Sequence, residues 1–196
     1  MAITAADVAK LRQLTGVGMM DAKKALEETS GDIEKAIEEL RKRGAAKAAK
    51  KADRETGEGR VHCYMHGNGK IGVMVEILCE TDFVARNEAF VELCNDVAMH
   101  IAAMSPLYVS REEVPADVLE KEKAILSEQM ANEGKPADMI EKIVEGKLSK
   151  FYEDMCLLEQ RFIKDEDLTI QKFLESKIAS LGENMRIARF SRMQIG

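Results

Sequence analysis

The sequence predicts an α+β fold made of an N-terminal three-helix module, an antiparallel sheet core with packed helices, and a coiled-coil helical hairpin. Three patterns carry that prediction. Apolar residues recur at helical spacing in three short runs before Arg43, β-prone segments flank Gly67-Asn68-Gly69, and near-heptad apolar stripes lie on either side of a bend at 132–136. At 196 residues the chain can bury a sizeable core, and two bodies are favoured over one. The expected division gives residues 1–55 as the helical module with a basic tether and 56–196 as the α+β core. A hydrophobic fraction of 45%, aromatics at 5% and no Trp point to a soluble protein whose core is Leu, Ile, Val, Met and Ala.

In the first run Val8, Leu11 and Leu14 follow one another at helical spacing. The pattern breaks at TGVGM, resumes at Ala22, Ala25 and Leu26, breaks at TSGD, and resumes at Ile33, Ala36, Ile37 and Leu40. Thr4 and either Ser30 or Asp32 are the expected N-caps, because their side-chain oxygens can accept from the free N–H groups of a first turn. From Arg41 to Gly59 the chain is rich in Ala and Lys without an apolar stripe, which predicts a solvated helix or tether. A hairpin follows, turning at Gly67-Asn68-Gly69, where glycine tolerates the positive φ of a tight turn. Its second strand, from Ile71, is apolar on both faces as far as Glu76 and is expected to be buried.

Phe90, Val91, Leu93, Cys94, Val97, Ala98, Ile101 and Ala102 define a packed helix that stops at Ser105-Pro106. Residues 116–155 then read as two helices joined at NEGKP. Val118, Ile125, Leu126 and Met130 stripe the first, and Ile140, Val144, Leu148, Phe151 and Met155 the second, as in an antiparallel coiled-coil hairpin. A last helix is expected over about Leu168 to Leu181, and after it a β-like edge segment carrying Arg186, Arg189 and Arg192.

Charge and cysteine usage narrow the function. The net charge is −6, but Arg41 to Arg60 holds eight basic residues against three acids, a local +5 that leaves −11 for the rest. An acidic body argues against broad nucleic-acid binding, which needs Lys and Arg over a sizeable surface. Cys63, Cys79, Cys94 and Cys156 show no C-x-x-C spacing and read as small buried apolar residues. With no signal-like or membrane-length apolar run, they suggest a reducing, cytoplasmic setting. His62 and His66 share a strand face that Cys63 opposes, so the three do not converge on a metal. Neither a P-loop nor a strand-linked G-x-G-x-x-G is present, so no cofactor is expected. Nor does any nucleophile, base and orienter converge in the sequence, and the chain is not expected to be an enzyme.

Two features stay open on pattern alone. Met19 and Met20 are adjacent in a turn of a small bundle, so at least one is expected to be exposed, either by default or as an adaptable contact for a partner. Asp82-Phe83 follows the buried strand at once. There, Thr81 or Asp82 caps the next helical turn and Phe83 packs inward, or Phe83 projects into another protein.

The stretch from Leu11 through TGVGMMDAKKALEETSGDIEKAIEEL and the basic tether, with the later VMVEILCETDFVARNEAF, resembles the bacterial translation elongation factor Ts family in its short form. The likeness covers almost the whole chain, NEGKPADMIEKIVEGKLSKFYEDM included. It implies a nucleotide exchange factor for the GTPase elongation factor Tu, with an N-terminal module like a ubiquitin-associated three-helix domain. It assigns Arg12, Met19, Met20, Lys50 and Lys51 to the docking surface. Thr81, Asp82, Phe83 and Val84 become the segment wedged beside the GTPase's magnesium site. The short form has room for one core half where longer members have two, and this, with a β-like C-terminus, implies a homodimer. No direct contact with nucleic acid or membrane is implied.

Overall fold

A computed structural model describes residues 3–196. Its order is α1 (Ala5–Thr15), α2 (Met19–Glu28), α3 (Ile33–Ala49), β1 (Glu58–His66), β2 (Ile71–Cys79), α4 (Asp82–Ala85), α5 (Glu88–Met104), α6 (Ala116–Asn132), α7 (Ala137–Met155), β3 (Arg161–Phe162), β4 (Asp165–Thr169), α8 (Ile170–Leu181) and β5 (Met185–Gln194). Strands β1, β2 and β5 form one sheet in that order, and β3 pairs with β4 in a two-stranded ribbon. The class is α+β. Two compact units are present: one holds the described residues up to His62 with Val75–Asp96 and Lys172–Ala188, the other Cys63–Met74, Val97–Gln171 and Arg189–Gly196.

In the three-helix bundle Val8, Leu11, Ala22, Ala25, Leu26, Ala36 and Leu40 form a closed core. Thr4 caps α1 in a reciprocal box with Asp7, as expected, and of the two candidates Ser30 and Asp32 it is Asp32 that caps α3, accepting the Lys35 N–H at 3.1 Å. The third helix, however, runs on to Ala49, and Gly44 and Ala48 are buried where a solvated stretch was expected. The reason is size. A Cβ on Gly44 would stand 3.6 Å from that of Ala179, so small residues pack α3 beside α8 without leaving a hydropathy stripe to read.

The hairpin forms as expected, with Gly67 and Gly69 at φ +55° and +81°. Gly59 is a second place where only glycine fits, because a Cβ there would meet the Ile77 carbonyl oxygen at 2.3 Å. Strand β2 is buried on one face alone: Val73, Val75, Ile77 and Cys79 are covered, whereas Met74 is exposed. The expectation of burial on both faces is corrected: on the second face Gly72, Glu76 and Leu78 are half-buried and Met74 is exposed. Cys63 is likewise exposed, unlike the other three cysteines. Burial pushes the thiols of Cys79 and Cys156 up to about 11 and that of Cys94 to about 12, which leaves them protonated and inert at neutral pH.

The helices α6 and α7 pair through Leu126, Val144 and Leu148, with Ile140 and Tyr152 packed against them, and Gly134 at φ +74° makes the bend. Ile125, placed on the stripe by its spacing, is exposed. Leu168 belongs to β4, not to the following helix, which begins at Ile170.

His100 on α5 is fully buried. It takes the Ile163 N–H on Nδ1 at 3.4 Å and donates from Nε2 to Gln160 Oε1 at 3.0 Å, while Gln160 Nε2 donates to the Asp154 carbonyl at 2.7 Å. These partners suit the neutral ring, and burial holds the imidazole down to about 4 from 6.5. The unfolded chain therefore takes this proton first. Stability from the neutral histidine is complete above pH 6.5 and is lost progressively towards pH 4, by up to about 3 kcal/mol. Urea midpoints should fall between pH 7.5 and 5, and His100→Gln, which removes the titration, should flatten that fall; an equal slope in the variant would contradict it.

Candidate partner-binding surface

Strand β2 ends at Cys79 and the chain enters α4 through Glu80 and Thr81. Thr81 is extended, and its Oγ1 accepts the Val84 N–H at 3.4 Å, so the cap is Thr81. Ala85 turns inward and is buried, whereas Phe83 is 81% exposed. Of the two readings of Asp82-Phe83, capping thus falls to Thr81, and Phe83 does not pack inward. Asp82 pairs with Arg86 one turn on, and Val84 is half-buried. An apolar ring this exposed costs solvation unless something else covers it.

Below this turn lies a polar cluster that sequence reasoning missed. Glu183 accepts from the N–H groups of Glu80 and Thr81 at 3.1 and 3.0 Å and from Thr81 Oγ1 at 2.6 Å. Glu80 accepts the Asn184 N–H at 2.5 Å and faces Arg54 at 3.4 Å. The Asn184 N–H, with the Arg54 guanidinium beside it, holds the Glu80 carboxyl below the usual carboxylate range. The Asn184 amide donates to the carbonyls of Ala52 and Arg54, at 3.2 and 2.8 Å, and Lys51 donates to the Gly182 carbonyl. Apart from Glu80 and Arg54, 26 residues apart, these partners are more than 100 residues apart in sequence, and no local signal announces them.

The basic tether is accordingly more engaged than a solvated helix face. Lys47 reaches Asp21 at 3.1 Å, Lys51 and Arg54 are committed as above, and Lys50 stays exposed at the end of α3. On the module, Met19 and Met20 are 51% and 75% exposed, Leu14 is exposed too, and Arg12 is exposed on α1. Three apolar side chains therefore flank the α1–α2 turn without joining the bundle core. Among the described residues no group of three His, Cys, Asp or Glu is placed to hold a metal. No helix there is long and apolar enough to cross a membrane.

The family model described as Elongation factor TS matches residues 1–196. Elongation factor Ts of Fervidobacterium nodosum is 62% identical over 196 residues, all of both chains. That of Thermosipho melanesiensis is 59% identical over 194 residues, 99% of each chain. That of Geobacter sulfurreducens is 57% identical over all of this chain and 91% of its own. With a match that runs the full length and takes in both the α1–α2 turn and the Thr81–Val84 segment, the chain belongs to the elongation factor Ts family, proteins of translation elongation.

Proposed function

We propose that the protein is a guanine nucleotide exchange factor for translation elongation factor Tu: it binds the GDP form, disturbs the magnesium and phosphate site, and promotes GDP release so that GTP can bind. The observation that carries this reading is the exposed Phe83 on a turn anchored from below. No bond need be made or broken by this chain. A factor that binds the nucleotide-free GTPase more tightly than the loaded one weakens nucleotide by that same factor. A thousandfold effect needs about 4 kcal/mol of difference. Burying Phe83 supplies roughly 1.5–3 kcal/mol if it occurs only in the nucleotide-free state, and Asp82 adds charge beside it. Displacing a GTPase helix by such a wedge spoils the octahedral geometry on which a magnesium ion depends.

Contacts equal in both states strengthen docking without moving nucleotide. We assign that role to residues 1–55, through Arg12, Met19 and Met20, with Lys50 and Lys51 adding electrostatic attraction. The setting is the cytoplasm, and the partner is protein, with no direct role for nucleic acid or membrane. Titrating elongation factor Tu with and without GDP tests the scheme: affinity for the empty GTPase should exceed that for the GDP form by orders of magnitude. Equal affinities would reduce the protein to a binding module.

A homodimer is part of the same proposal, formed by 56–196. It is supported by β1 and β5 standing as sheet edges, with Met65, Met74, Met193 and Ile195 exposed along the strands and just past them. Sedimentation at micromolar concentration should give about twice 21.8 kDa. A monomer active in exchange would contradict it.

A further inference from the structure

We propose that Glu183 is a positioning residue for exchange: its carboxylate fixes the direction in which the α4 turn presents Phe83. This rests on the exchange reading of that turn. Glu183 lies in the connection between α8 and β5, and Oε2 takes two successive backbone N–H groups, those of Glu80 and Thr81, at 3.1 and 3.0 Å. Its Oε1 takes the Thr81 hydroxyl proton at 2.6 Å. A hydroxyl has one proton, so spending it on Glu183 turns the oxygen's lone pairs towards the Val84 N–H, the capping contact of α4. Glu80 returns the arrangement by accepting the Asn184 N–H at 2.5 Å. Each of the two chain segments thus gives a carboxylate to the other's backbone, and bonds to an ionised acceptor are the stronger kind.

Phe83 follows two residues after this anchor, so the anchor sets where the ring stands. Nothing else in the sheet ladder reaches Thr81, because β2 ends at Cys79. A wedge acts by geometry, and small misplacements of an acting group are costly when binding must be selective for one state. Glu183 would touch neither nucleotide nor GTPase; it acts through Phe83.

The experiment measures GDP release from elongation factor Tu with Glu183→Ala, Glu183→Gln and Phe83→Ala, and with Glu183→Ala and Phe83→Ala combined. Glu183→Ala should lower kcat about tenfold with KM within about twofold. Glu183→Gln, which keeps one accepting oxygen, should recover part of the loss. In the Phe83→Ala background Glu183→Ala should add less than about twofold, because residues acting through one another are not additive. Circular dichroism gives the folded fraction of each variant. If Glu183→Ala does not fold, Thr81→Val, which removes the hydroxyl's bond to Glu183 together with its cap on the Val84 N–H and leaves the two backbone contacts of Glu183 in place, carries the same expectations. Losses that multiply, or that merely follow the folded fraction, overturn the proposal. An active wild type with an equally active Glu183→Ala overturns it alone, whereas a wild type that leaves GDP release unchanged overturns the exchange reading and this inference with it.

Discussion

Phe83→Ala is expected to cut the acceleration of GDP release by tenfold or more while shifting the protein's own melting temperature by no more than a degree or two. The ring is 81% exposed, so its removal opens no cavity and sacrifices little packing in the free protein. A tenfold loss requires only about 1.4 kcal/mol, less than burying a Phe supplies. Seven residues on, Phe90 is fully buried and provides the contrast. Phe90→Ala should cost about 3–5 kcal/mol of stability and leave the exchange rate per folded molecule unchanged. The two substitutions have the same chemistry and opposite outcomes, because burial and presentation are separate uses of an aromatic side chain. If Phe83→Ala were destabilised and its folded fraction exchanged normally, the ring would be a packing element.

Replacing Met19 and Met20 together by Ser is expected to weaken association with the GTPase by roughly ten- to a hundredfold. Full burial of a Met is worth about 1.5–3 kcal/mol, and these two are already half or more exposed in the free chain, so the loss is that of a partly covered pair. Helical circular dichroism should be retained, since the bundle core is formed by Val8, Leu11, Ala22, Ala25, Leu26, Ala36 and Leu40. In kinetic form the change raises KM and spares kcat, the reverse of Phe83→Ala, because docking contacts are shared by both nucleotide states. Unfolding of the module would show that the methionines support the bundle. An unchanged KM would move the docking surface elsewhere.

Much of this was legible in the residues. The cap at Thr4, the choice of Ser30 or Asp32 for α3, the glycine turn of the hairpin, the extent of α5 and the break between α6 and α7 all follow from local chemistry that tertiary context did not override. The β3–β4 ribbon was not legible. It runs through Asp165, Glu166 and Asp167, residues with little preference for strands, and exists because Arg161–Phe162 lies beside it. The burial of Gly44 and Ala48 was hidden because small residues leave no hydropathy stripe, and the exposed Met74 face because periodicity marks an apolar face without saying whether anything covers it. At the candidate site, Asp82-Phe83 stood out as an acid and an aromatic closing a buried strand. Glu183 did not, because its meaning depends on Thr81, 102 residues earlier.

The most direct measurement is release of labelled GDP from elongation factor Tu, chased with unlabelled nucleotide, at a ratio of about one molecule of this protein to a hundred of the GTPase. An exchange factor turns over, so the whole GDP pool should be released in a single fast phase whose rate rises in proportion to the protein added. Release limited to one GDP per molecule of protein, or a rate indifferent to its presence, would contradict the account.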